Sequence, residues 1–456
     1  MSFLRRTLAL AALSAVVFGS GVAVAGQASA ATPARPQVGV QFKGMWSDYT
    51  DTQRAAVLDK LAAAGVDTVR IDVSWAMLQP TGPDSYDTWG VGFVDRVITM
   101  ARERGLTPLV TLWMTPAWAN GGRGDRALPT NPADYARAAR WAAAKWAGRV
   151  GAWEIWNEPN SDDFMTGADP VAYARLLQAA YPAIKAGDPQ ATVVSGGTMY
   201  VDTDWIAKMY AAGAGGNFDA IAVHPYMGVA DQAPETPDDG TQWTLAHVAS
   251  LHDLMVQHGD GAKGIWLTEM GWSTHATAAD APNWQRGVTE KAQADFTVRS
   301  IAFTASKLPW VTHMFFYTER DQVDSHVQDN NYGLLRRDLT PKPVYAALQA
   351  HLSGSATTTT PLAPVAPVTP VAPPVPATTT ATVTTPAPVE NPTVTKVAER
   401  RTLRVSSKPR RQAARLGATT LARVSRTGLA TEVSAPVLRR YPVSFIGPIA
   451  FGASRG

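Results

Sequence analysis

Eight short apolar runs alternate with eight amphipathic stretches between residues 38 and 352, and the apolar residues of those stretches recur at helical spacing. The predicted strands are Val38–Phe42, Thr68–Val73, Thr107–Leu112, Gly151–Ile155, Thr192–Ser195, Ala220–Val223, Gly264–Thr268 and Thr312–Tyr317. The predicted helices are Gln53–Ala64, Phe93–Arg104, Ala133–Ala147, Val171–Lys185, Asp204–Ala212, Leu245–His258, Thr289–Lys307 and Val344–His351. Strict alternation indicates parallel strands, and eight repeats predict a closed (β/α)8 barrel of the α/β class. The open doubly wound alternative is disfavoured because no glycine-rich phosphate turn follows the first strand.

The amino terminus has the pattern of a secretory signal peptide. Arg5 and Arg6 precede an apolar run, and small residues with an Ala-Ser-Ala site follow it at residues 28–30. A membrane anchor is the rival interpretation, but Ser14 and Gly19 interrupt the run, and a spanning helix needs about 20 apolar residues. We therefore expect residues 1–30 to be removed. The mature chain is expected to be secreted, without a transmembrane segment.

Composition divides the rest of the chain into three parts. Residues 31–354 carry the barrel pattern, residues 355–395 form a Pro/Thr-rich linker, and residues 396–456 form an Arg-rich tail without a predicted fold. The tail has 13 Lys and Arg against 2 acidic residues, so the rest of the chain has more acids than bases and is not expected to bind nucleic acid. The tail either binds acidic cell-wall polymers or is a solvated extension.

Residue counts exclude several kinds of chemistry. The chain has no Cys, which excludes disulfides, thiolate metal sites and a Cys nucleophile. Its 8 His show neither His-x-His nor His-Glu-x-x-His spacing, so we predict no metal and no cofactor. All 15 Trp lie between residues 46 and 310, which indicates a large core or the stacking of flat ligands.

Two glutamates follow predicted strands on opposite sides of the barrel. Glu158 lies in Trp-Asn-Glu-Pro-Asn after the fourth strand, and Glu269 lies in Thr-Glu-Met-Gly-Trp after the seventh. Active sites of such barrels form where the strands end. Cleavage of a glycosidic bond needs one acid to protonate the departing oxygen and one carboxylate to attack or to activate water. The pair therefore predicts a glycosidase that acts on a carbohydrate.

These two segments resemble the retaining glycoside hydrolases that place Asn-Glu after strand four and Glu after strand seven. The pentapeptide at 156–160 most resembles glycoside hydrolase family 39, the β-xylosidase and exopolysaccharide glycosidase group, and next the cellulase-like family 5. The resemblance covers about residues 38–352 and neither the linker nor the tail. It implies hydrolysis of β-glycosidic bonds in a polysaccharide or oligosaccharide by double displacement.

The resemblance also implies roles for individual residues. Glu158 matches the general acid/base, Glu269 the nucleophile, and Asn157 the residue that binds the sugar 2-hydroxyl. Arg70 matches the strand-two arginine that steadies the nucleophile, although it has Asp72 as an alternative partner. The family's His/Tyr pair near the nucleophile corresponds to the side chains at positions 224 and 226, which are His224 and Tyr226. Both also have a purely structural interpretation, as buried packing residues.

Two positions depart from the family pattern. Trp113 stands after strand three where many relatives have His, and Tyr317 stands after strand eight where Trp is usual. Both changes concern the subsite that grips the sugar. Trp272 follows strand seven and has either a sugar-stacking or a core role. Two other functions stay open: a non-catalytic carbohydrate-binding protein of the cell envelope, and a transglycosylase that uses the same site.

Overall fold

The computed structural model describes residues 35–45, 49–323 and 327–354. Eight parallel strands form its centre. In chain order they are β1 (Gln37–Gln41), β2 (Thr68–Ser74), β3 (Thr107–Trp113), β4 (Ala152–Ile155), β5 (Thr192–Ser195), β6 (Ala220–His224), β7 (Gly264–Met270) and β8 (Val311–Phe316). Each strand overlaps its prediction, and the bounds differ by at most two residues. A two-residue strand, Thr198–Met199, was not predicted because so short a segment has no periodicity.

A long helix follows each strand within the described residues. The helices are α1 (Asp51–Ala63), α2 (Thr88–Arg102), α3 (Pro132–Lys145), α4 (Pro170–Gly187), α5 (Thr203–Ala211), α6 (Val248–Gln257), α7 (Glu290–Lys307) and α8 (Pro343–Gly354). Polar side chains cap most of the amino-terminal ends, and the caps are Thr50, Asp87, Asn131, Asp169, Asp202 and Thr289. Thr50 and Gln53 form a reciprocal capping box.

Parallel pairing closes the sheet into a barrel. Each strand pairs with the next, and β8 pairs with β1 through the register Gln37 to His313. The weakest junction is β5 to β6, where Val194 pairs with Ala220 and the short strand at 198–199 extends the contact to His224. The predicted (β/α)8 barrel is therefore confirmed.

The barrel interior changes from apolar to polar along its axis. A separate cluster of inward residues fills the lower part, and its members are Leu109, Ala152, Val194, Ala220, Ala222, Trp266 and Phe315. Gly39 on β1 is required there, because a Cβ atom at this position would lie 2.3 Å from the Phe315 ring. Above this layer the inward positions of β1 to β4 are Gln41, Arg70, Thr111 and Glu154, all fully buried. The sequence thus places a charged layer directly below the carboxyl ends of the strands.

The predicted signal peptide, linker and tail lie outside the described residues. Residues 31–34, the first of the predicted catalytic domain, lie outside them as well. Within the described part of the chain, no helix has the length and apolar character needed to cross a membrane.

Candidate active site

A cleft of about 880 Å³ opens at the carboxyl ends of the strands. Glu158 and Glu269 both line it, as do Asn157 and Tyr226. Six aromatic residues also line it, and they are Trp113, Phe164, Tyr200, Trp284, Tyr317 and Tyr332. A cleft with apolar rings and a few convergent polar groups suits a ligand that has apolar faces and polar edges, as sugars have.

The turn after β4 presents Glu158 to the cleft. Trp156 and Glu158 have positive φ angles of 73° and 40°, a conformation that side-chain-bearing residues rarely adopt. The Glu158 amide donates to the carbonyl oxygen of Gly197 at 3.0 Å, which fixes the turn against the loop after β5. Gly197 has no room for a side chain, because a Cβ atom would lie 2.3 Å from His224 Nε2. Backbone strain and close packing therefore fix the position of this carboxyl group.

Glu158 is buried beside His224. His224 Nδ1 lies 2.8 Å from Glu158 Oε1, and His224 Nε2 lies 3.1 Å from the Thr268 hydroxyl. Burial raises the pKa of Glu158 above its ordinary value, although the hydrogen bond from His224 lowers it and the charge of Glu269 raises it further. A carboxyl group of this kind retains its proton more readily than an exposed glutamate, which suits a general acid.

Glu269 is held by two donors on β2 and after β6. Arg70 Nη1 donates to Glu269 Oε1 at 2.6 Å, and the Tyr226 hydroxyl donates to Glu269 Oε2 at 3.0 Å. Both hydrogen bonds fix the orientation of the carboxylate. The two carboxylates approach closely. One carboxylate oxygen of Glu158, one of Glu269 and one ring nitrogen of His224 all lie within 4.8 Å of one another.

Arg70 is the centre of a buried hydrogen-bond network. Its Nε donates to Glu154 Oε2 at 2.7 Å, and its Nη2 donates to Asn157 Oδ1 at 2.7 Å. Because the Asn157 oxygen is occupied, its amide nitrogen is left to donate into the cleft. Although burial lowers it, the charges of Glu154 and Glu269 raise the pKa of Arg70 above its ordinary value. Asp72, the alternative partner, is 4.0 Å away and makes only a long contact.

The structure brings most of the predicted site residues together. Trp113 and Tyr317 line the cleft, and the Tyr317 ring packs edge-on against Tyr226. Trp272 is different: its buried indole donates to the carbonyl oxygen of Gln232 and packs against Phe296. It is not among the described residues that line the cleft.

Several cleft residues were not singled out from the sequence as site residues. Asp72 and Lys43 line the cleft beside Glu269 and Tyr317, and the Lys43 ammonium group donates to the Tyr317 hydroxyl. Asp72 has a recognisable signal, because it lies two residues after Arg70 and therefore on the same inward face of β2. Lys43 has no such signal, since a single Lys after a strand is ordinarily solvated.

Two further acids after β8 are structural. Glu319 is fully buried and accepts hydrogen bonds from the Tyr49 hydroxyl and the Lys43 amide. Asp321 forms an ion pair with Lys342 at 2.7 Å.

One group of side chains within the described residues has the donor types for a metal ion: Glu158, His224 and Glu269. Each carboxylate already has a protein partner, and the Arg70 cation lies 2.6 Å from Glu269. A divalent cation at this position would be repelled by that guanidinium group. The geometry therefore suits proton transfer between organic groups better than metal binding.

The fold and its carboxylate pair define a (β/α)8-barrel glycoside hydrolase. The family model of cellulase (glycosyl hydrolase family 5) matches residues 32–310, more than half of the chain, so the chain belongs to this family. The motif-based recognition of this group of hydrolases is thereby confirmed. A curated relative, beta-glucosidase A from Thermotoga maritima, is 31% identical over 107 residues, which is 23% of each chain.

Solved structures of family 39 and family 5 proteins have the same fold. A family 39 glycoside hydrolase from Bacteroides cellulosilyticus is similar with a TM-score of 0.58 and 24% identity, over 70% of this chain and 64% of that one. A GH5_18 protein from Streptomyces cattleya, solved with Manb1-4GlcNAc, gives a TM-score of 0.57 and 22% identity over 71% and 82%. At these identities the similarity shows the fold alone.

Proposed function

We propose that this protein is a secreted, retaining glycosidase that cleaves β-glycosidic bonds of a polysaccharide or oligosaccharide by double displacement. The observation that carries the proposal is the close approach of Glu158 and Glu269 at the barrel mouth. A carboxylate oxygen of one lies within 4.8 Å of a carboxylate oxygen of the other. Retaining enzymes hold their two carboxyl groups about 5–5.5 Å apart, whereas inverting enzymes leave roughly 6.5–9.5 Å for a water molecule. The spacing favours direct attack by a carboxylate.

Glu158 is the general acid in the first step. Its burial and the negative charge of Glu269 raise its pKa, so it keeps a proton to give to the leaving oxygen. When Glu269 becomes an ester, that negative charge disappears. The pKa of Glu158 then falls, and the same group accepts a proton from the incoming water.

Glu269 is the nucleophile. Arg70 and Tyr226 donate hydrogen bonds to its two oxygens, which orients the carboxylate before attack. As the bond to the sugar forms, the negative charge on Glu269 is lost. Asn157, whose oxygen is bound by Arg70, offers its amide nitrogen to the 2-hydroxyl, a contact that strengthens as positive charge develops on the ring.

Two other functions use the same site. A pure binding protein has no use for a buried acid with a raised pKa, so the environment of Glu158 favours catalysis. Transglycosylation replaces water by a second sugar in the same second step. The aromatic residues around the cleft, Trp284 and Tyr200 among them, are compatible with either acceptor.

Export and wall association are the further parts of the proposal. The signal-peptide pattern at 1–30 supports secretion, and the 13 basic residues after position 395 support binding to acidic wall polymers. Truncation after Gly354 should leave glycosidase activity intact and abolish salt-sensitive retention on isolated cell walls. Equal retention of the full and truncated chains would exclude the docking role.

The test is a screen of aryl β-glycosides and envelope polysaccharides with NMR detection of the first anomer released. Retention predicts that the β anomer appears before mutarotation. Glu269→Ala should lose turnover, while Glu158→Ala should keep activity on substrates with good leaving groups. Azide should restore Glu158→Ala and give a β-glycosyl azide, because the covalent intermediate still forms.

A matched control is Glu235→Ala, which removes a partly buried glutamate that is paired with Arg299 and does not line the cleft, and should not alter turnover. A chelator should also leave activity unchanged, whereas a metal-dependent hydrolase would lose it. First release of the α anomer, or undiminished turnover by Glu269→Ala, would refute the proposed mechanism. Substantial transfer to added sugars would identify the transglycosylase.

A further inference from the structure

The proposed mechanism leaves one cleft carboxylate unused, which is Asp72 on β2. Its Oδ2 accepts a hydrogen bond from Gln41 Nε2 at 2.7 Å. Its Oδ1 lies 4.0 Å from Arg70 Nη1, too far for a hydrogen bond, and takes no hydrogen bond from the described residues. Asp72 nonetheless lines the cleft with 5% of its surface exposed. One oxygen of a buried carboxylate is therefore available to a ligand.

Asp72 lies on the nucleophile side of the cleft. Arg70 Nη1 bonds Glu269 at 2.6 Å and also makes the long contact with Asp72. Tyr317 lies on the same side, since its ring packs against Tyr226, the hydroxyl donor to Glu269. In double displacement, the sugar that becomes bonded to the nucleophile must lie here, and the leaving group departs past the general acid.

We propose that Asp72 is a specificity-determining residue that accepts a hydrogen bond from a hydroxyl group of the sugar bonded to Glu269, at a ring position other than the 2-hydroxyl. This inference rests on the proposed function. A hydroxyl group donates to a carboxylate, whereas a sugar carboxylate at this place would meet the negative charges of Asp72 and Glu269. The glycone predicted by this site is therefore a neutral sugar with a free hydroxyl, not a uronic acid.

The charges around Asp72 agree with this role. Burial raises the pKa of Asp72 from 3.8 to about 6, while the charges of Arg70 and Lys43 lower it and those of Glu269 and Glu154 raise it. A cleft carboxylate whose pKa is perturbed both by burial and by neighbouring charges is a candidate functional group. Sites built to bind a hydroxyl group reject an analogue without it, because a buried acceptor is then left unpaired.

The test combines substrate and protein changes. The parent substrate is the 4-nitrophenyl β-glycoside that the wild type hydrolyses fastest, and its 3-, 4- and 6-deoxy analogues are compared with it where those positions bear a hydroxyl group. For the wild type, one analogue should lose about 10- to 100-fold in kcat/KM. On the parent substrate, kcat/KM of Asp72→Ala should be lower than that of the wild type by a similar factor. For this variant, kcat/KM on the sensitive analogue and on the parent substrate should differ by less than about twofold. Asp72→Asn keeps the side-chain volume. Its kcat/KM should be sensitive to the same deoxy position, with a smaller decrease than in Asp72→Ala.

Glu319→Gln is the matched control, since Glu319 is a buried carboxyl group near the cleft that does not line it. A structural loss of this kind should lower kcat/KM by the same factor for every analogue. The inference is overturned if Asp72→Ala behaves in this uniform way, or if the corresponding uronide is the better substrate.

Binding separates this inference from the proposed function. Calorimetric titration of the wild type and Asp72→Ala with methyl β-glycosides of glucose, mannose, galactose and xylose needs no turnover. If no glycoside is hydrolysed but one binds to the wild type at least tenfold more tightly than to Asp72→Ala, the proposed function fails and the Asp72 contact stands. Equal binding by the two proteins, or no binding to either, overturns the contact.

Discussion

Replacing Arg70 by Met tests whether this side chain holds both the fold and the nucleophile. Arg70 and Glu154 are fully buried and lie 2.7 Å apart. Removing one partner of a buried ion pair leaves an uncompensated charge and costs about 3–5 kcal/mol. For a domain of this size we expect the melting temperature of Arg70→Met to fall by about 5–7 °C.

Activity should fall more than stability suggests, because Arg70 also bonds Glu269 and Asn157. Each charged hydrogen bond contributes about 1.5–3 kcal/mol, so kcat/KM should decrease by about two orders of magnitude or more. Urea unfolding measures the loss of stability, and initial rates on an aryl β-glycoside measure the loss of kcat/KM.

The double variant Arg70→Met/Glu154→Gln supplies the decisive comparison. Removing the Glu154 charge relieves part of the deficit, so the double variant should be more stable than Arg70→Met alone. It should not recover activity, because Glu269 still lacks its cation. Unfolding of Arg70→Met within about 1 kcal/mol of the wild type, or additive destabilisation in the double variant, would refute this account of the buried network.

Three further outcomes are expected. Because burial raises the pKa of Glu158, kcat/KM should fall as the pH rises through this pKa. His224→Ala removes a contact that lowers the pKa of Glu158, so the alkaline limb of the pH profile should move to higher pH. A move to lower pH would contradict the assignment. Asp72→Asn should stabilise the protein by up to about 3 kcal/mol above pH 6 and by nothing below pH 3.8 in denaturant titrations, because ionisation of the buried acid, with its pKa raised to about 6, opposes folding as the pH rises through this window. Tyr226→Phe should reduce kcat/KM about 10-fold and leave the melting curve unchanged. The control is Tyr181→Phe, which changes a tyrosine bonded to Asp219 outside the cleft and should leave both kcat/KM and the melting curve unchanged.

Much of the barrel could be predicted because its signals are local. The alternation of apolar runs and helical periods depends on neighbours within a few residues, and it gave strand bounds close to those observed. The position of Glu158 and Glu269 at the barrel mouth was predictable for the same reason, since each follows a predicted strand and barrel sites form at strand ends. The exact strand bounds and the short pairing at Thr198–Met199 were outside its reach.

Side-chain partners were harder to predict, as Arg70 shows. The sequence offered Asp72, two residues away, as an alternative ion-pair partner. The structure instead pairs Arg70 with Glu154 and Glu269, which are 84 and 199 residues away in the chain. Trp272 likewise follows a strand but faces Phe296, because the direction of a side chain after a strand depends on the loop that receives it.

The amino-acid sequence by itself determined the strand–helix alternation, the strand ends and the two glutamates, because these are written in residue type and short-range period. The tertiary structure decided which charges meet inside the barrel and which oxygen of Asp72 is left for a ligand. Those contacts depend on strand register and barrel closure, which bring together residues that are far apart in the chain. A displacement of a few ångströms is enough to make or break such a hydrogen bond.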